Sequence, residues 1–156
     1  MTEIRGQLAA VGRVGIIVSQ YHERVTARLL EGAVDCCRAA GLGAEAIDVV
    51  WVPGAFELGS AAASMAERGG YIALVALGAV VRGETPHFEF VAGETTRALG
   101  SVAKRHALPV GFGLLTVDSI AQAMDRAGGS AGNKGYEAAE AAIRTADALR
   151  QLGNRG

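Results

Sequence analysis

The sequence predicts an α/β fold, a three-layer αβα sandwich around a four-stranded parallel sheet. Three observations carry this. Four apolar runs lack the alternation of half-solvated strands, so each reads as a strand buried on both faces. Segments with helical spacing of apolar residues lie between them, which makes the pairing parallel through right-handed crossovers. At 156 residues the chain can build one full core but hardly two.

Residues 13–19 (RVGIIVS) form the first strand. A helix follows over residues 22–40, with Val25, Leu29, Ala33 and Cys36 or Cys37 on one stripe and Gly41 at its end. The second strand, residues 46–52 (AIDVVWV), is closed by Pro53-Gly54. A small-residue helix over 55–68 stops at Gly69-Gly70. Residues 71–81 hold the third strand, and 87–106 read as a helix with Val91, Thr95, Ala98 and Val102 inward. Residues 109–117 (PVGFGLLTV) are the fourth strand. Asp118 or Ser119 caps a helix to Ala127, a glycine-rich loop follows, and residues 136–152 form a last, Ala-rich helix. The whole of 1–156 reads as one domain, with residues 1–12 as an N-terminal arm.

Half of the residues are hydrophobic but only 5% are aromatic, so the core is aliphatic. Fifteen basic and sixteen acidic residues are spread evenly, and no basic face suits nucleic acid. The first residues, MTEIRGQLAAVGRVG, lack the apolar core of a signal peptide. No run approaches the ~18 apolar residues of a membrane span. Cys36 and Cys37 are adjacent on a helix, point about 100° apart and read as packing groups rather than a redox pair. A cytoplasmic, reduced protein is expected.

In parallel α/β sheets ligands bind outside the carboxyl ends of the strands. The segments expected there are residues 20–22, 53–57, 80–87 and those around 111–114. Several familiar chemistries are absent. The glycine-rich stretch GGSAGNKG has Lys134 followed by Gly135 rather than Ser or Thr, and follows a helix, so it is no nucleotide phosphate loop. Gly12 and Gly15 lack the third glycine of a dinucleotide fingerprint. Metal-ligand spacing is missing, and no serine sits in a nucleophile elbow. Three histidines remain. His106 lies at a helix end and His22 after the first strand, and each has an ordinary structural use. His87 opens a helix at the sheet edge, a place suited to proton transfer. Glu57 and Arg126 stand at helix ends where the helix dipole alone would favour them.

Taken together and in order, the segments PGAFEL (53–58), GAVVRGETPHFEFV (78–91), PVGFGLLTVDSIAQAMDRAG (109–128) and AGNKGYEAAEAAI (131–143) resemble the lumazine synthase (6,7-dimethyl-8-ribityllumazine synthase) family. The resemblance runs from about residue 12 to 150 and implies the family's flavodoxin-like fold. It also implies a cofactor-free condensation in riboflavin biosynthesis, joining 5-amino-6-(D-ribitylamino)uracil to 3,4-dihydroxy-2-butanone 4-phosphate. By position, His87 is the implied proton-transfer residue. Tyr21 would stack on the pyrimidine; Ala55, Phe56 and Glu57 would face the ribityl chain; Ala79, Val80 and Val81 would line the ring edge. Phe112 would close the pocket from the next subunit, and Glu84, Thr85, Arg126 and Lys134 would meet the phosphate. The implied assembly is a homopentamer or a multiple of it, with riboflavin synthase as a candidate partner. The uninterrupted loop at 128–133 permits a 60-subunit shell without requiring one. Tyr21 replaces the usual phenylalanine or tryptophan, His22 stands where asparagine is common, and Gly59 where proline is. Two rivals stay open: a catalytically silent shell protein of this fold, and a flavin-binding module. Retention of His87 and Arg126 argues against the first, and the lack of a phosphate loop after the first strand argues against the second.

Overall fold

An unbroken aliphatic run has nowhere stable to go but the centre of the molecule. In the computed structural model, which describes residues 1–155, strand β1 (Val14–Ser19) is buried along its whole length. Strand β3 (Ala73–Val81) lies beside it, buried up to its last residue. Strands β2 (Ile47–Val52) and β4 (Val110–Val117) complete a parallel sheet in the order β2-β1-β3-β4. Helices α1 (Glu23–Ala39) and α5 (Lys134–Gly153) cover one face, and α2 (Leu58–Arg68) and α3 (His87–His106) the other. The expected three-layer sandwich is what forms.

Side-chain alternation along β1 divides the core in two. Ile16 and Val18 pack with Leu29, Cys36 and Ile143 under α1 and α5, while Ile17 packs with Leu58, Met65 and Leu99 under α2 and α3. On α3 the deepest residues are Thr95, Leu99 and Val102; Leu99 takes the place expected of Ala98. Both edge strands keep apolar side chains in solvent. Val49, Val50 and Trp51 on β2 are each exposed by more than a third, and Phe112 on β4 by about half. β2 reads like a central strand because its sequence is apolar apart from Asp48, but among the described residues its outer edge has no neighbour.

The end of the chain is tied by backbone proximity. Gly135 lets α5 close on α1, since a Cβ there would run into the Leu29 carbonyl. Asn133 caps α5: its Oδ1 accepts from the Gly135 and Tyr136 N–H groups at 2.8 and 3.1 Å, and its Nδ2 donates to the Arg28 carbonyl. The helix therefore starts at Lys134, before the expected Tyr136. Helix α4 (Ile120–Asp125), capped by Ser119, is shorter than expected because Ala127 enters a small antiparallel hairpin. That hairpin, β5 (Ala127–Gly129) and β6 (Gly132–Asn133), occupies the stretch read as a loop.

Residues 1–13 follow no regular structure; residues 5–7 lie against α5, and Ala10 N–H donates to the Ala40 carbonyl at the end of α1. Gln7 N–H donates to Asp147 Oδ2 at 2.8 Å, and Gln151 Nε2 donates to the Arg5 carbonyl at 3.1 Å. Asp147 is buried, and its carboxyl is held down at about 2, first by the Gln7 N–H and then by Arg150 and Gln151. An unfolded aspartate titrates near ~3.9. A group with a depressed folded pKa stabilises fully above that value and loses its contribution as pH falls toward the folded one. Stability should therefore fall between about pH 4 and pH 2 as this carboxylate takes up a proton. Asp147→Asn should flatten that part of the profile in thermal melts; an unchanged slope would show that other carboxylates set it.

Candidate active site

In the strand order β2-β1-β3-β4 the chain leaves β1 toward one side, then returns to pair on the other. That reversal opens a crevice at the carboxyl ends of β1 and β3. A cavity of about 860 Å³ lies there. The turn after β1 supplies its first wall. Gln20 N–H donates to the Val52 carbonyl and Tyr21 N–H to the Pro53 carbonyl, so β1–β2 pairing continues past the strand ends and delivers Tyr21. Its ring is largely exposed and meets the His22 ring edge-on, centroids 4.4 Å apart.

His22 adopts a left-handed backbone (φ 60°, ψ 47°) at the start of α1. Its carbonyl accepts from Val25 and Thr26, while its side chain makes no cap bond and lines the cavity. Partial burial lowers its pKa, so the ring favours the neutral form.

The end of β2 supplies the second wall. Ala55, Phe56 and Glu57 form a single 3₁₀ turn before α2. Thr95 Oγ1 donates to the buried Ala55 carbonyl at 3.2 Å, which pins this turn to α3. Phe56 and Glu57 stay exposed and reach the cavity. The end of β3 supplies the floor, Ala79, Val80 and Val81, then Thr85 and the exposed His87, first residue of α3. Phe88, Phe90 and Val91 complete it. Sequence reasoning gave Phe88 and Phe90 no role and read Val91 only as an inward packing residue; a phenylalanine at position 90, off the inward stripe of the helix, was the signal that could have marked the wall.

Phe112, Arg126 and Lys134 lie elsewhere. They share a separate groove of about 270 Å³ along the outer edge of β4. The expectation that residues around 111–114 reach the carboxyl edge is wrong. Strand β4 runs on to Val117, and Phe112 pairs with Ala76 in its middle. Arg126 caps the end of α4, its Nη1 donating to the Gln122 carbonyl at 3.1 Å, and it makes no salt bridge among the described residues. Lys134 N–H donates to the Arg126 carbonyl, and its ammonium pairs with Glu137. Glu84 is exposed and lines neither the cavity nor the groove.

Against known families, the model of 6,7-dimethyl-8-ribityllumazine synthase matches residues 12–150. The chain belongs to this family. Members of the lumazine synthase family are generally oligomeric and act on small molecules. One chain brings together Tyr21, Ala55, Phe56, Glu57, Ala79, Val80, Val81, Thr85 and His87. It leaves Phe112, Arg126 and Lys134 on a different flank.

Other candidates are accounted for by packing. Cys36 and Cys37 are buried in the core, and burial pushes their thiols up to about 12 and about 11, so neither is a ready nucleophile. His106 ends α3, followed by Ala107 in a left-handed turn. Among the described residues no cluster of three or more ligating side chains could hold a metal ion. Among the same residues no helix is long and apolar enough to cross a membrane.

Proposed function

We propose that the chain is a 6,7-dimethyl-8-ribityllumazine synthase, a transferase that condenses 5-amino-6-(D-ribitylamino)uracil with 3,4-dihydroxy-2-butanone 4-phosphate. The observation that carries this reading is the position of His87. It stands at the first turn of α3, on the wall of a mostly apolar cavity that also holds Tyr21 and Glu57. The reaction adds the ring amine to the ketone, expels water to give an imine, eliminates phosphate, and closes the second ring with loss of another water. Each step moves protons and none needs an external electron carrier. A positioned imidazole therefore suffices as acid and base.

The remaining residues take the roles that their places allow. The Tyr21 ring offers an aromatic face to the pyrimidine. Glu57 can accept from ribityl hydroxyls, and the free N–H groups at the start of α3, beside Glu84 and Thr85, suit an anion.

No arginine or lysine lines the cavity of one chain, although one substrate carries a phosphate. The cations that would hold it, Arg126 and Lys134, sit in the β4 groove with Phe112. A ring of identical chains repeats one heterologous interface, so the groove of each chain can complete the cavity of the next. We take that ring to be a homopentamer. The exposed Phe90, Phe112 and apolar β2 edge support surfaces that are covered in the assembly. In the same reading the protein is cytoplasmic, and riboflavin synthase, which consumes lumazine, is the candidate partner. Mixing the purified protein with both substrates should produce lumazine absorbance at a rate proportional to protein concentration. A rate no faster than the spontaneous reaction would leave a silent shell protein as the better reading.

A further inference from the structure

Arg82 belongs to the most distinctive stretch of the chain, RGETPHF, yet it stays outside the cavity and neither the fold nor the proposed reaction has used it. Its surroundings are specific. The Arg82 N–H donates to the Val117 carbonyl, the last bond of the β3–β4 edge. Its Nε donates to Asp118 Oδ1 at 3.0 Å, its Nη1 lies 3.6 Å from Glu89 Oε1, and its guanidinium carbon sits 4.6 Å from the centre of the Phe88 ring. Phe88 and Glu89 directly follow His87 on α3, whereas Asp118 belongs to the turn after β4.

Between Arg82 and the first turn of α3 the chain has little else to hold it. Gly83, Glu84, Thr85, Pro86 and His87 are all exposed, and among the described residues no backbone hydrogen bond ties 83–85 to a neighbour. Each ion pair of Arg82 is weak by itself, because both partners are half exposed or more. One planar group contacting three side chains from two elements nevertheless fixes a direction as well as a distance. We infer that Arg82 is a positioning residue. It clamps the start of α3 against the turn after β4, and so sets the imidazole of His87 at the height the reaction needs. The inference rests on the assignment of His87 as the proton-transfer group.

The test is a cycle of turnover measurements on wild type, Arg82→Ala, His87→Ala and the double variant, with assembly checked by native mass spectrometry. Loosened alignment of a catalytic group should lower kcat about tenfold in Arg82→Ala. If Arg82 acts through His87, the same substitution should cost nothing further in the His87→Ala background. Arg82→Lys keeps the charge but loses the flat fork, and should recover only part of the loss. Asp118→Asn, which leaves the arginine but removes its nearest anion, goes through the same cycle and covers the case in which Arg82→Ala fails to fold. Its smaller loss should also vanish without His87. Equal losses in both backgrounds, or no loss from either substitution while His87→Ala is impaired, would overturn the clamp and leave His87 standing. An unimpaired His87→Ala would remove both.

Discussion

Replacing His87 with alanine is expected to lower turnover about a hundredfold, the low end of the ~10²–10⁴ range for general acid–base groups. The low end is chosen because an aromatic amine and an activated ketone condense without help, so the protein gains most by holding them together. The residue is exposed at a helix start and supports no buried contact, so the loss should come without loss of fold. Stopped-flow turnover at saturating concentrations of both substrates, beside a thermal melt, separates the two effects. A variant that turns over like the parent would remove His87 from the mechanism, whatever its place on the cavity wall.

Replacing Arg126 with alanine should act on binding rather than turnover. A charge-assisted pair to a phosphate contributes about 1.5–3 kcal/mol, which is roughly a 10- to 150-fold rise in KM. The rise should appear for the butanone phosphate and not for the pyrimidine. Equal rises for both would mean that Arg126 shapes the groove, in which it already donates to the Gln122 carbonyl. The variant also tests the shared site. Arg126→Ala and His87→Ala chains, unfolded together in equal amounts and refolded, should form mixed rings in which about a quarter of interfaces keep both residues. With the butanone phosphate kept well below the KM of Arg126→Ala, activity near a quarter of wild type is expected, once mixed rings are confirmed by native mass spectrometry. Activity no higher than the mean of the two variants would place the whole site within one chain.

Most of the layered fold was legible because it depends on burial, and burial leaves a plain mark on composition. The runs around Ile16 and Val75 could not be solvated, and the stripe Val25–Leu29–Ala33 had one face to hide. Order within the sheet was less legible, because β2 and β4 carry sequences as apolar as the central strands. Their exposure fits the proposed ring, in which a neighbouring chain covers them. Phe112 was misplaced for a different reason. The strand read over 109–117 already puts residues 111–114 near its middle, where they cannot reach the carboxyl edge. In the fold Gly111 and Gly113 give α5 and β3 room, since a Cβ on either would meet Ala138 or Leu77. At the site, the motif located His87 and the floor of β3, while the contacts of Arg82 and the edge-on meeting of Tyr21 and His22 required coordinates.

The left-handed backbone at His22 bears on what the protein can become. Positive φ is reached readily by glycine and tolerated by asparagine, aspartate and histidine, but strained for branched side chains. A substitution at position 22 therefore meets a conformational filter before any chemical one. Valine or isoleucine would carry about 1–3 kcal/mol of backbone strain into the turn that delivers Tyr21. Asparagine would pass freely. Judged by side-chain chemistry, an imidazole in place of an amide is a large step. In dihedral space it is no step at all, and an evolving chain can exchange the two, altering the cavity wall while the β1–α1 turn keeps its shape.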